Sequence, residues 1–229
     1  MSRNAPTIVA LLLIVATATA FAVTQRLKLE PSPISRTRVS NAISPVCRCA
    51  SKAANIEFSL RRADDLRIAV QVGTSEVTIA ERPFAKGDVH VRWDGRDASG
   101  EIVPDGIYYP LVHLQHAGRT IDLPNPIRVD TIRPSIKFTS LTPRAFRPGT
   151  EKLKVTYTVS EHAHALLFVD GRRRVFTYGT RLRGKLQWYG KIRGHVIRPG
   201  RHKLKLVAED LAGNRSAPTP VVFVRARRP

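Results

Sequence analysis

From residue 42 onward, apolar and polar side chains alternate with a period of two, as in a strand with one face in a core and the other in water. Ile56, Phe58 and Leu60 alternate with Glu57 and Ser59. Leu66, Ile68, Val70 and Val72 alternate with Arg67, Ala69 and Gln71, and Val89, Val91 and Trp93 with Asp88, His90 and Arg92. Further on, Leu153, Val155, Tyr157 and Val159 alternate with Lys152, Lys154, Thr156 and Thr158. Leu182, Leu186 and Trp188, then Leu204, Leu206 and Ala208, carry the pattern onward. Short runs of this kind, punctuated by Gly, Pro and Asp, predict an all-β chain built as sandwiches. Trp93 and Trp188 end alternating runs and are expected in the core.

The two halves of this pattern repeat each other. Trp93-Asp94-Gly95 returns as Trp188-Tyr189-Gly190, 95 residues later. Pro104-Asp105-Gly106 returns as Pro199-Gly200, each just ahead of an apolar run, and Ile43-Ser44-Pro45 as Phe146-Arg147-Pro148. Pro124, Pro126 and Pro134 break the pattern between the copies. A repeat fixes the domain count, here two tandem domains over 42–130 and 131–229.

Ahead of them, residues 7–24 carry no charge over 18 positions. At ~1.5 Å per residue a helix there spans about 27 Å, against a hydrocarbon core of ~30 Å. One reading is a cleaved signal peptide, with small-residue sites at Ala18-Thr19-Ala20 and Ala20-Phe21-Ala22. The other is an uncleaved anchor that runs into Arg26 and Lys28 at the headgroup layer. The expectation taken forward is a transmembrane helix, behind a short flank (1–6) and ahead of a polar spacer (25–41) containing Pro31-Ser32-Pro33. The basic residues flanking the span would leave the domains in the cytoplasm, but large domains translocate largely regardless of charge. The expected location is therefore the cell membrane, single-pass, with the domains extracytoplasmic; the alternative is secretion after signal cleavage.

Charge then singles out one domain. Lys and Arg number 38 against 18 Asp and Glu, a balance of +20. The counts are 5 against 1 in residues 1–41, 11 against 12 in 42–130, and 22 against 5 in 131–229. Lys152 and Lys154 take outward positions of one expected strand, Arg181, Arg183 and Lys185 of a second, and Arg201, Lys203 and Lys205 of a third. Arg172, Arg173 and Arg174 are expected in a turn. If those strands share one sheet, the cations form a continuous stripe, a candidate polyanion-binding surface. The partners that follow are the membrane through the N-terminal helix, and an anionic cell-wall polymer, lipid headgroups or an acidic protein. Nucleic acid is disfavoured, because stacking aromatics are not interleaved with the cations. The plain alternative is a solvated face.

Other chemistry is sparse. Asp94, Asp97, Glu101 and Asp105 could offer oxygens to calcium, but their spacing matches no calcium loop, and a turn role is expected. His162 and His164 share a strand face without an assignable third metal ligand. The sequence has no Gly-x-Ser-x-Gly, His-Glu-x-x-His or phosphate-cradling glycine loop. No cofactor, metal or catalytic role is therefore expected. Cys47 and Cys49 form a candidate disulfide that stiffens its loop; so close a pair closes a strained, more reducible ring, and a redox role or pairing with another chain is the competing reading.

Trp93-Asp94-Gly95-Arg96-Asp97-Ala98-Ser99-Gly100, followed by Val103-Pro104-Asp105-Gly106-Ile107-Tyr108, resembles the hallmark of the FlgD-type immunoglobulin-like domain of exported bacterial proteins. The resemblance covers the first domain, about 89 residues. The second domain is similar in degenerate form, through Phe146-Arg147-Pro148-Gly149 and Ala208-Glu209-Asp210-Leu211-Ala212-Gly213-Asn214. Nothing outside the module resembles the hook-capping protein that names it. The resemblance implies two tandem immunoglobulin-like β-sandwiches and export, while function does not follow from fold. The expected function is a non-catalytic, membrane-anchored binding or spacer module of the cell envelope. The alternative is an accessory or sensor ectodomain docking an enzyme or secretion partner; the oligomeric state stays open.

Overall fold

A computed structural model describes residues 12–19, 21 and 31–228. Residues 12–19 and 21 are helical. Among the described residues, no helix is long and apolar enough to cross a membrane. The transmembrane helix expected over 7–24 thus has no support there; residues 7–11, 20 and 22–24 lie outside the described set, as do the flank 1–6 and residues 25–30.

The first unit contains β1 (Ile34–Val39), β2 (Ala42–Ile43), β3 (Ala54–Leu60), β4 (Asp64–Val72), β5 (Ser75–Phe84), β6 (Gly87–Trp93), β7 (Gly106–Leu114), β8 (Arg119–Asp122) and β9 (Ile127–Val129). Its sheets are β1-β3-β6 and β2-β9-β7-β4-β5, with β8 paired to β7. The second unit contains β10 (Ile136–Thr142), β11 (Ala145–Phe146), β12 (Leu153–Val159), β13 (Ala163–Val169), β14 (Arg172–Phe176), β15 (Arg183–Trp188), β16 (Lys191–Ile192), β17 (His195–Val196), β18 (Gly200–Asp210) and β19 (Val222–Ala226). Its sheets are β10-β12-β15 and β11-β19-β18-β13-β14, with a small β16-β17 hairpin.

The connectivity is the same in both. The chain leaves the three-stranded sheet, adds a two-residue strand parallel to the last strand (β2 on β9, β11 on β19), and otherwise pairs antiparallel. Two packed sheets with this crossing order are an immunoglobulin-like sandwich. Each has its own core, from Ile34 to Val129 in the first and from Ile136 to Ala226 in the second.

The repeated motifs occupy equivalent places. Trp93 and Trp188 are both buried, and each indole Nε1 donates to the carbonyl three residues on, Arg96 O at 2.9 Å and Lys191 O at 3.0 Å. The glycine two positions after each tryptophan has positive φ, +75° at Gly95 and +70° at Gly190. A Cβ on Gly190 would stand 2.8 Å from Pro148 Cβ and 2.9 Å from Phe146 Cε2; on Gly95 it would strike Pro45. The repeat of Ile-x-Pro as Phe-x-Pro is thereby explained, since each motif packs on its own Trp-x-Gly turn. Gly190→Ala combines left-handed strain with overpacking and is expected to lower second-sandwich stability by about 2–4 kcal/mol, read by denaturant titration.

The spacer expected over 25–41 is corrected in part. Residues 34–39 form β1, which pairs with β3 and buries Ile34 and Val39. A bulge between Ser35 and Arg38, with Arg36 at φ +54°, turns both ends inward although they are five residues apart. An odd separation cannot share a face in a regular strand, so the alternation was hidden. Leu182 is corrected as well: it precedes β15 and is exposed, not inward-facing.

Candidate functional site

The candidate cations do not form one stripe. Lys154, Arg183 and Lys185 stand on the outward face of β12 and β15, where Lys154 lies opposite Gln187, Lys185 opposite Thr156 and Arg183 opposite Thr158. Lys152, just before β12, sits 5.5 Å from the Tyr189 ring centroid. Arg201, Lys203 and Lys205 lie on β18, in the other sheet. Arg172, Arg173 and Arg174 form edge strand β14 of that second sheet, not a turn, and Arg181 falls between β14 and β15. The physical reason is that alternation reports which way a side chain faces but not which strand lies beside it. The chain changes sheet between β14 and β15 and again before β18, so the cations divide between opposite faces of the sandwich.

What the sequence did not reveal is how little of this charge is neutralised. Among the described residues, Arg215 alone of the 22 Lys and Arg in 131–229 has a carboxylate within 4 Å, Glu209 at 2.5 Å. The acids are committed elsewhere: Glu151 accepts from Arg147 N, Asp170 from Lys203 N and His202, and Asp210 from Asn214. The first unit instead pairs Arg36 with Asp88, Arg38 with Glu57, Arg67 with Glu76, Arg96 with Asp94 and Arg128 with Asp130.

Aromatic side chains do stand among the cations on the β18 side. The Arg201 guanidinium lies 3.5 Å from the Phe223 ring centroid and that of Arg173 5.7 Å from Phe176, which packs on Tyr178 at 4.8 Å. Cross-strand register creates this mixture, with Phe223 opposite Lys203 and Phe168 opposite Lys205. Beside them a groove of about 780 Å³ is lined by Phe168, Lys203, Lys205, Val207, Arg215 and Pro218, among others.

At the start of β7, Tyr108 donates its hydroxyl to Pro104 O at 2.6 Å, the tyrosine-corner arrangement. The third residue of β18 is instead His202, whose Nε2 meets Arg198 O at 2.9 Å and whose Nδ1 meets Asp170 Oδ2 at 2.7 Å. Burial pushes the Asp170 carboxyl up, but hydrogen bonds from His202 and Lys203 N, with the charges of His202 and Arg174, outweigh it and hold it below the usual range. A depressed carboxyl contributes stability above the ordinary Asp value, about pH 4, and loses it as pH falls through the lower folded value. Asp170→Asn is accordingly expected to lower the melting temperature at pH 7, with the difference vanishing in strong acid.

A second cluster lies where the two units meet. Asn214 Oδ1 accepts from Ser44 Oγ at 2.5 Å, and its Nδ2 donates to Asp130 O and Asp210 Oδ2, each at 2.8 Å. Cys47 and Cys49 are disulfide-bonded, with Cα atoms 5.3 Å apart, and Cys49 Sγ packs so closely that a Cβ on Gly213 would stand 2.6 Å from it. Carboxylate oxygens of Asp130, Glu161 and Asp210 lie within 4.8 Å of one another. Such a group, scattered over 81 residues, has no sequence signature. Burial, then the charges of Asp130 and Asp210, push Glu161 above the usual range against the opposing Arg128. A raised carboxyl costs stability while ionised, and the cost disappears as pH falls through its folded value. Glu161→Gln is expected to raise the melting temperature at pH 7, with the gain fading toward pH ~4.

The other sequence candidates serve loops. Asp97 accepts from Ser99 N, Ser99 Oγ and Glu101 N, and Asp94 from Arg96 N, so both shape the loop after β6, while Asp105 accepts from Thr131 N and Oγ1 and ties the start of β7 to the segment after β9. His162 and His164 bond through Nδ1 to the carbonyls of Thr180 and Thr177, tying down the chain between β14 and β15.

No protein-family model matches the chain, and no curated protein sequence matches it significantly. Similar solved structures include the fibronectin(III)-like modules of CbhA from Clostridium thermocellum, at 19% identity over 86% of this chain and 92% of that one, TM-score 0.46. The human OSCAR ligand-binding domain follows at 9% identity, 82% and 97% coverage, TM-score 0.36. A tetra-tandem repeat from the extending region of a large adhesion protein has 12% identity, 83% and 50% coverage, TM-score 0.29. Likenesses of this size carry nothing about activity or partner. The immunoglobulin-like description rests on strand connectivity, and the FlgD-type resemblance on its motif residues alone.

Proposed function

We propose that the chain is a non-catalytic, extracytoplasmic binding or spacer module of the cell envelope, whose basic second sandwich contacts an anionic partner. The observation that carries this reading is the unneutralised charge of that sandwich: 22 Lys and Arg against 5 acids, with a single Lys/Arg to carboxylate pair among the described residues. So many uncompensated cations repel one another in the free protein and are relieved by a polyanion. The uncharged stretch 7–24, with Leu12, Leu13, Ile14 and Val15 exposed, supports membrane attachment. The Trp93 to Tyr108 motif supports a FlgD-type first domain.

The test is co-sedimentation of the full chain with anionic vesicles and with purified cell wall across salt. Binding should weaken steeply as the Debye length shortens from ~10 Å at 0.1 M to ~3 Å at 1 M. Binding indifferent to salt, or absent at low salt, overturns the reading. Protease shaving of intact cells tests the location, since both sandwiches should be accessible from outside.

A further inference from the structure

Arg201, Lys203, Lys205 and Val207 follow one another on the outward face of β18, opposite in sense to Leu204 and Leu206 in the core. Alternate residues of a strand stand about 6.7 Å apart. On one side β13 sets Phe168 opposite Lys205 and Leu166 opposite Val207. On the other, residues 215–219 turn back along β18, held by Ser216 N to Ala208 O and Thr219 N to Leu206 O, both 2.9 Å. The trough between them, about 780 Å³, has Asp170 toward one end and Arg215 toward the other. Both of those charges are already satisfied, by His202 and Glu209. Two exposed ammonium groups and then an apolar end remain, in that order along the strand: exposed Pro218 standing over Val207, which is itself nearly buried.

This order specifies a ligand. An extended peptide presents every second side chain on one face at the same ~6.7 Å repeat as β18. Carboxylates at positions i and i+2 meet Lys203 and Lys205, and an apolar side chain at i+4 reaches Pro218 at the level of Val207. A phosphate polymer supplies the charges but has nothing for the apolar end, and a lipid surface is flat where the trough is concave. We infer that the β18 trough receives an extended acidic segment of a partner protein, of the form acid-x-acid-x-apolar. This rests on the polyanion reading of the second sandwich and names its partner class and site.

The experiment is a fluorescence-anisotropy titration of the full chain with labelled Ser-Glu-Ser-Glu-Ser-Leu-Ser at low salt. Lys203→Gln with Lys205→Gln should weaken binding about tenfold, whereas Lys154→Gln with Lys185→Gln, the same charge change on the opposite sheet, should weaken it no more than about threefold. Replacing the probe's Leu by Ser, or making the Pro218→Ser change at that exposed position, should each weaken binding severalfold; melting curves confirm that the variants fold. Equal losses from the two lysine pairs overturn the trough but leave the polyanion reading standing. Tighter binding of inorganic polyphosphate or of anionic vesicles than of the peptide overturns the peptide assignment. Failure of peptide, polyphosphate, vesicles and purified cell wall alike to bind at low salt overturns both readings.

Discussion

Replacing Trp93 or Trp188 by Ala is expected to cost about 3–5 kcal/mol in the sandwich that carries it. Each side chain is almost wholly buried, at 3% and 6% exposure for the two residues, and each packs on an aromatic neighbour, Tyr108 at 5.4 Å and Phe146 at 6.3 Å. Truncation removes that packing and also frees the carbonyl that the indole holds three residues on, Arg96 O in the loop after β6 or Lys191 O at the start of β16. The two changes check each other, because each variant retains one tryptophan as a fluorescent reporter of the other sandwich. In Trp188→Ala, fluorescence from Trp93 should report an almost unshifted first transition while far-ultraviolet circular dichroism shows the second sandwich melting earlier. The converse holds for Trp93→Ala. A loss below about 1 kcal/mol in either case, within the range of surface substitutions, contradicts a core role for that ring.

Strands with one wet and one dry face were legible in the sequence, and those with other environments were not. The segments over β3, β4, β6, β12 and β18 alternate because water lies on one side and the core on the other. Within β13, Ala163, Ala165, Leu166, Leu167 and Val169 are all buried, because Val207 on β18 and Phe176 on β14 flank Leu166 on the outer face. Its alternation disappears for that reason. Edge strand β5 has the opposite problem: Ser75 to Phe84 is nowhere fully buried, so burial leaves little imprint on its composition. The internal repeat survived these gaps because its motifs report a packing unit, Phe-x-Pro or Ile-x-Pro against Trp-x-Gly, and not a strand.

The candidate site was legible as a quantity of charge and illegible as a surface. Lys154 and Lys205 have the same local pattern, a lysine between core residues, yet they lie on opposite sheets. Pairing between distant strands determines the sheet, and local alternation is silent about it. The same applies to the β18 trough, whose walls come from Phe168 and Pro218, 50 residues apart in the chain. Absence of acids is a property that adds along a sequence, whereas a groove is a property of register.

Asn214→Ala is expected to cost about 2–6 kcal/mol, from two buried polar groups losing a partner at about 1–3 kcal/mol each. Asn214 is 2% exposed, and its side chain joins three elements: Ser44 beside β2, the carbonyl of Asp130 in the linker, and Asp210 at the end of β18. Ser44 is fully buried and Asp210 nearly so, so water cannot replace the amide without opening the seam. Loss of the link should therefore appear both as a lower melting temperature and as a larger radius of gyration in small-angle scattering, because the two sandwiches are then free to hinge. Asn214→Asp separates hydrogen bonding from shape. It keeps the volume but replaces the amide donor with a further carboxylate beside Asp130, Glu161 and Asp210, where burial and those neighbours already push Glu161 upward. At pH 7 it should destabilise at least as much as Ala, and mild acid should restore part of the loss by protonating the cluster. The Ala variant has no added charge to relieve and should recover little. Equal pH profiles for the two variants, or unchanged scattering in both, contradict the assignment of Asn214 as the polar link between the sandwiches.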